Sequence, residues 1–204
     1  MTRWLLAIAA LSLAVPARAE GPPARRWTVG ARAGFAFGLG KLDGTTEMRD
    51  AVDQQIPVQL DVAFRVRPRL AVGAYGAYGF GRVSGTMQVS CGGGGACTST
   101  ALRLGGQVLY YFEGEERTPW IGLGAGWQSL SVDTGPVELE VTGWEYLVLQ
   151  GGIDIHESAR IHLGGFLSGS LGRFTRQTVG AFSTPLDART HEWITLGVRG
   201  EFRL

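Results

Sequence analysis

The stretch IPVQLDVAFRV, from Ile56 to Val66, alternates between apolar and polar or small residues at almost every position. Leu60 lies on the apolar face, and Asp61 and Arg65 lie on the opposite one. Because successive side chains of a β-strand point to opposite faces, this period of two predicts a strand with one apolar and one polar face. A run of this length also matches the roughly 9 to 11 residues that a tilted transmembrane strand needs.

The same alternation recurs in seven further segments of the chain. These segments begin at or near Trp27, Leu70, Leu102, Ile121, Leu147, Ile161 and Ile194. A soluble β-sandwich alternates too, but its strands average about five or six residues, and most of these runs are longer. Because an open sheet edge in lipid would leave backbone groups unpaired, the sheet is expected to close. The sequence therefore predicts an all-β fold, a closed eight-stranded antiparallel up-and-down transmembrane β-barrel.

The connectors between the predicted strands alternate between short and long. Three short ones fall at residues 67–69, 113–119 and 157–159. Four long ones fall at residues 41–54, 84–100, 131–141 and 173–190. Short periplasmic turns and long outer loops are typical of outer-membrane barrels, so the long connectors are expected to face the cell exterior.

The first 19 residues have the pattern of a secretory signal peptide. Arg3 precedes an apolar run from Trp4 to Val15, and the small-residue site ends at Ala19. The apolar run is shorter than the roughly 20 residues that a membrane-spanning helix needs. The predicted organisation is a signal peptide at residues 1–19, followed by an outer-membrane β-barrel domain at residues 20–204.

The composition of the mature chain argues against nucleic-acid binding. Removing the two arginines of the signal peptide from the 19 basic residues leaves 17 basic against 18 acidic side chains. A nucleic-acid-binding protein would concentrate positive charge on one face. The chain has 32 glycines, and after residue 20 it has no uninterrupted run of 18 apolar residues, so no helical membrane span is predicted.

Charged residues recur on the face that the alternation turns inward. They are Arg32, Asp61, Arg65, Arg103, Asp154, Arg199 and Glu201. Side chains alone can fill an eight-stranded barrel, so this set predicts a lumen charge network that plugs the barrel. The alternative is a narrow polar pore, because inward glycines such as Gly122 could either accommodate long side chains or leave a water-filled gap. No cofactor and no metal site is predicted.

Two cysteines, Cys91 and Cys97, flank a glycine-rich segment in the second long connector. In an exported chain they are expected to form a disulfide that stiffens the loop. Two thiolates alone would supply only half of a tetrahedral metal site.

The histidines do not form a recognisable catalytic set. Lipid deacylation would need a serine close to a histidine and a carboxylate near the outer rim. The residues considered for that chemistry are His156, Glu157, Ser158, His162, Ser168, Ser170, His191 and Glu192. No nucleophile, base and orienting group come together in the pattern, so no enzymatic activity is predicted.

With these features in place, the mature chain resembles the small eight-stranded outer-membrane proteins, the group that includes the OmpA transmembrane domain, OmpX and OmpW. The most specific element is the final strand from Trp193, whose alternate apolar residues lead to Phe202 and Leu204. It resembles the family's assembly signal, although the aromatic residue stands two positions before the end. The resemblance implies an outer-membrane location and insertion by the barrel-assembly machinery.

The sequence favours a monomeric barrel with a mostly plugged lumen, acting in envelope structure or surface interaction through four outer loops. Outer-membrane lipid and lipopolysaccharide are the expected surroundings, and the loop ligand is not identified. The alternatives are a narrow passive channel for small or apolar solutes and, less favoured, an outer-leaflet lipid-modifying enzyme.

Overall fold

The computed structural model describes residues 26–41, 47–52, 54–83, 98–114, 117–133, 138–156, 158, 160–186 and 189–204. The predicted signal peptide and both cysteines lie outside the described residues. The elements are β1 (Trp27–Gly40), α1 (Met48–Ala51), β2 (Gln54–Arg67), β3 (Leu70–Arg82), β4 (Thr98–Tyr111), β5 (Arg117–Asp133), β6 (Glu138–His156), β7 (Ile161–Val179), β8 (Phe182–Pro185) and β9 (Thr190–Arg203). Among these residues, no helix is long and apolar enough to cross a membrane.

Eight strands form a closed antiparallel barrel. Each strand from β1 to β7 pairs with the next, β9 follows β7, and β9 returns to pair with β1. Val29 opposite Phe202 belongs to this closing pair of strands. Closure pairs both edges of the sheet with each other, as a membrane-spanning sheet requires. The predicted fold class is confirmed.

The outer face of the wall is apolar and exposed, and the inner face is buried. Leu60 is 62% exposed, whereas the next residue, Asp61, is 4% exposed. Every strand of the barrel contributes exposed aliphatic or aromatic side chains to this belt, including Phe35, Val72 and Leu149. A soluble sandwich would bury that face, so the belt identifies the surface that contacts lipid. The faces predicted from the alternation are confirmed.

Three strands extend well beyond the expected spans at the long-connector end. Strand β5 continues to Asp133, and β6 begins as early as Glu138. Strand β7 continues to Val179 and turns back through Gly180 into β8, a short extra strand that is not part of the eight-stranded barrel. Gly180 has a φ of 58°, a conformation that glycine adopts without strain. The connectors predicted at residues 131–141 and 173–190 are therefore partly strand, because backbone pairing continues where the apolar alternation of a membrane span has ended.

Candidate functional site: the barrel lumen

The lumen is filled by three levels of polar side chains and an apolar plug. We call the end with the short connectors the turn end, and the opposite end the loop end. From turn end to loop end, the levels are a turn-end layer, a middle layer, an upper layer and the loop-end plug. Glycines on the inner wall make space for the larger side chains. A Cβ atom on Gly152 would lie 2.9 Å from the Trp120 ring, and one on Gly105 would lie 2.6 Å from the Tyr75 hydroxyl.

Arg199 is the centre of the turn-end layer. Its guanidinium pairs with Glu201, and it lies 3.5 Å from the Asp154 carboxylate. It also donates a 3.0 Å hydrogen bond to the Tyr111 hydroxyl and lies 4.3 Å from the centre of the Trp120 ring. All of these side chains are buried. Buried charges are stabilised when they are paired with opposite charges, and this layer supplies the pairs from strands on opposite sides of the barrel. Its hydrogen bonding is incomplete: Arg199 Nε and Nη1 and Asp154 Oδ2 have no hydrogen-bond partner among the described residues.

Glu201 joins two further arginines to the turn-end layer. Its Oε1 atom lies 3.3 Å from Arg65 Nη2 and 3.0 Å from Arg203 Nε. Its Oε2 atom accepts a 2.7 Å hydrogen bond from the Tyr111 hydroxyl. Arg65 also donates to the carbonyl of Pro68 in the first short turn, at 2.9 Å. The layer is thus fastened to the turn beneath it as well as across the lumen.

The middle layer is a closed cycle of hydrogen bonds among four buried side chains. Arg32 donates from Nε to Asp61 at 2.7 Å and from Nη1 to the Gln150 carbonyl oxygen. Gln150 donates to Gln107 at 2.8 Å, and Gln107 donates to Asp61 at 3.0 Å. Gln59 adds another donor to Asp61, at 2.7 Å. Such a network fixes the positions of all its members, because each group satisfies its neighbour.

The upper layer is built around Glu145, which is 1% exposed. Its Oε1 atom accepts a 2.7 Å hydrogen bond from Ser170 and lies 3.6 Å from Arg103 Nη1. Its Oε2 atom accepts a 3.4 Å hydrogen bond from Tyr75. Arg103 lies 4.9 Å from the centre of the Trp193 ring, which begins the apolar plug above it.

The loop-end plug is an apolar cluster across the barrel mouth. Its members are Ala36, Met48, Val52, Ala101, Leu130, Val141, Phe174 and Trp193. Met48 and Val52 come from α1 and the residue after it, in the first long connector, and neither is exposed. Beside the plug, the His191 ring stacks on Phe174 at 4.2 Å and contacts the Gln128 amide at 2.7 Å.

All seven charged residues selected from the sequence point into the barrel. Six of them pair with one another: Arg32 with Asp61, Arg65 and Arg199 with Glu201, and Arg199 with Asp154. Arg103 instead pairs with Glu145, which the sequence pattern missed. The set of charged residues did not include their uncharged partners, all of which are buried at inward positions of the alternation: Tyr75, Gln107, Tyr111, Trp120 and Gln150.

A β-bulge explains why Glu145 was missed. Strand β6 shifts register against β7 between Glu145 and Leu147, which makes Tyr146 an extra residue, and against β5 between Glu145 and Val148. Strict alternation back from Leu147 would turn Glu145 toward lipid; the bulge turns its carboxylate into the lumen instead. The sequence signal of this shift is the adjacent pair of apolar residues Tyr146 and Leu147, both of which are exposed in the structure.

The remaining candidates lie at separate places. His162 and His191 are buried in the lumen, and the Ser170 hydroxyl donates to Glu145. The His191 ring contacts the amide of Gln128. Within the described ranges, no group of three metal-ligating residues is close enough to hold an ion.

The two residues of the expected assembly signal lie at the end of the closing strand. Phe202 is exposed on the lipid face, and the Leu204 N–H donates to the Trp27 carbonyl at 2.8 Å. Recognition of this strand by the assembly machinery stays a prediction.

Comparison with solved structures gives the fold but little sequence similarity. No protein-family model matches the chain, and no curated protein matches it. Neisserial surface protein A superposes with a TM-score of 0.59 at 12% identity, covering 87% of this chain and 97% of that one. Outer membrane protein AlkL, solved in lipid bilayers, superposes with a TM-score of 0.50 at 16% identity, covering 93% of this chain and 96% of that one. A major outer membrane protein from Thermus thermophilus superposes with a TM-score of 0.50 at 15% identity, covering 89% of this chain and 100% of that one.

These likenesses confirm the resemblance to small outer-membrane β-barrels at the level of the fold. They cover nearly the whole length of each solved structure. Together with the lipid-facing belt, they agree with the predicted outer-membrane location.

Proposed function

We propose that this protein is a closed outer-membrane barrel that acts through its outer surface and does not serve as a transport channel. The observation that carries the proposal is the filling of the lumen from the turn-end layer to the loop-end plug. An ion crossing this path would have to displace side chains that already neutralise one another. Separating a buried pair such as Arg199 and Asp154 leaves an uncompensated charge, at a cost of about 3 to 5 kcal/mol.

The loop end offers a surface of paired strands for interaction. The β5–β6 hairpin and the end of β7 continue above the barrel, and β8 pairs with β7 to form a further hairpin there. Phe182 on β8 is 81% exposed. Val179, which pairs with Phe182 across the hairpin, is also exposed, so the two side chains together offer an apolar contact surface. The proposed surroundings are outer-membrane lipid and lipopolysaccharide, and the proposed state of the barrel is a monomer.

A passive channel is the second candidate, because a cavity of about 30 Å³ lies inside the lumen. Arg32 and Arg103 line this cavity. Conduction would require a continuous path that joins the cavity to both ends, through the turn-end layer below and the plug above.

Solute flux into proteoliposomes tests the closed state. Vesicles that contain the refolded protein are exposed to a small sugar, and swelling is followed by light scattering. We expect the vesicles that contain the protein to swell at the same rate as protein-free vesicles. The different gel migration of boiled and unboiled protein verifies that the protein is folded. Swelling that increases with the amount of folded protein would favour the channel.

A hairpin-shortened variant tests the surface role. Replacing residues 177–184 with Asn-Gly joins Arg176 to Pro185, which are paired in the structure, through a two-residue turn. Cells that display the native protein should differ from cells that display the variant in aggregation or in adhesion to surfaces. Equal behaviour at equal surface abundance would contradict a role for this hairpin.

A further inference from the structure

The cavity in the lumen lies between the middle layer and the loop-end plug. Its lining includes Arg32, Arg103, Gln107, Glu145, Gln150 and Trp193. Its volume of about 30 Å³ leaves room for about two water molecules or one small ion. Guanidinium, amide and hydroxyl groups on its walls could bind such an occupant.

Two arginines at this cavity have hydrogen-bond donors with no acceptor. Arg32 uses Nε and Nη1, and Arg103 directs Nη1 toward Glu145. The Nη2 atom of each is buried and has no hydrogen-bond partner among the residues that the structure describes. A guanidinium carries five N–H donors in a fixed plane, so the use of one edge does not satisfy the other. An unsatisfied buried donor of a charged group destabilises the fold.

The nearby carboxylates are already supplied with donors. Asp61 accepts from Arg32, Gln59 and Gln107. Glu145 accepts from Ser170 and Tyr75 and pairs with Arg103. The two Nη2 groups therefore need another acceptor. A water molecule could accept from an Nη2 group, but it would bring two further donors into the same space, whereas an anion brings none.

We propose that this cavity binds one small monovalent anion of halide size, held by the Nη2 groups of Arg32 and Arg103. At the cavity itself, Arg32 and Arg103 are paired with Asp61 and Glu145, so the anion is held by the two unused guanidinium donors and not by a net local charge. The proposal does not depend on whether the barrel conducts, because an ion can occupy a closed cavity.

Bromide gives a direct test, because its anomalous diffraction separates it from water. Crystals of the protein grown in bromide should show one lumen peak within hydrogen-bond distance of both guanidiniums. The Arg103→Gln variant should lose that peak. Arg82→Gln should retain it, because Arg82 is exposed at the loop end of β3, outside the lumen. Bromide peaks on the surface without a lumen peak, or a lumen peak that survives Arg103→Gln, would overturn the proposal.

Fluorescence provides a second measurement that does not need the arginine variant to fold. Trp193 lines the cavity, so a heavy halide bound there should quench its emission. Titration of the native protein with iodide should show a saturable component of quenching, which Trp193→Phe removes. Trp144 is exposed, so quenching there should rise without saturation and survive the same change. Quenching that lacks a saturable component would also count against the site.

Discussion

The two ends of the lumen are closed by different means. At the turn end, Arg199, Asp154 and Glu201 come from strands of the barrel wall and are joined by ion pairs. At the loop end, Met48 and Val52 reach the mouth from a connector and pack among apolar groups. Closure of the turn end is therefore as stable as the barrel itself. Closure of the loop end depends in part on a connector outside the wall, because two of the eight plug residues, Met48 and Val52, belong to it.

The largest expected effect comes from the centre of the turn-end layer. Arg199→Met should lower the free energy of unfolding by about 3 to 5 kcal/mol, because Asp154 and Glu201 lose their shared cation while they remain buried. Equilibrium unfolding by urea in lipid vesicles measures this loss. Arg82→Met, at an exposed position, is the matched control and should change stability by less than about 0.5 kcal/mol. Equal effects of the two changes would mean that the turn-end pairs do not hold this end together.

The next largest loss of stability is expected in the lipid-facing wall of the barrel, between the two ends. Leu60→Arg should cost about 2 to 4 kcal/mol, because it places a charge near the middle of the lipid-facing belt. Folding into vesicles, followed by the gel shift between boiled and unboiled samples, reports the loss. Leu60→Ala is the control for the lost side chain. If the Leu60→Arg variant folds as well as the Leu60→Ala variant, this face does not contact lipid.

A smaller effect is expected at the loop end. Met48→Ala removes a buried side chain from the plug, at a cost of about 2 kcal/mol. Hydrogen exchange should accelerate around α1 and Gly38, against which Met48 lies, while amides near Tyr111 keep their protection. Faster exchange at both ends would contradict the independence of the two closures.

The smallest effect concerns packing between the middle and turn-end layers. Gly122→Ala places a Cβ 2.6 Å from a methyl group of Leu109 and 2.9 Å from the Gln150 side chain, so these must shift, at a cost of about 1 kcal/mol. Gly169 has nothing within 4 Å of the added Cβ, and Gly169→Ala is the matched control with no expected loss. The midpoints of urea unfolding compare the two. Equal midpoints would indicate a looser lumen than the structure describes.

The sequence predicts the wall better than it predicts the contents of the lumen. Alternation determines which face of β2 contacts lipid, because burial imposes a period of two on every spanning strand. The same pattern misassigns Glu145, because one extra residue at Tyr146 reverses the phase. It is also silent on α1, whose single turn is too short to show a helical period, and on β8, which is set by pairing with β7 above the membrane. Contacts such as Arg103 with Glu145 join distant strands, so only the closed barrel reveals them.

Single-channel conductance of the refolded protein in a planar bilayer tests the central claim, that the barrel wall itself closes the lumen. The native protein and Met48→Ala should both be silent, because the turn-end layer remains intact when the loop-end plug is weakened. Discrete current steps from verified folded native protein, altered by Arg103→Ala, would contradict this claim and establish a pore.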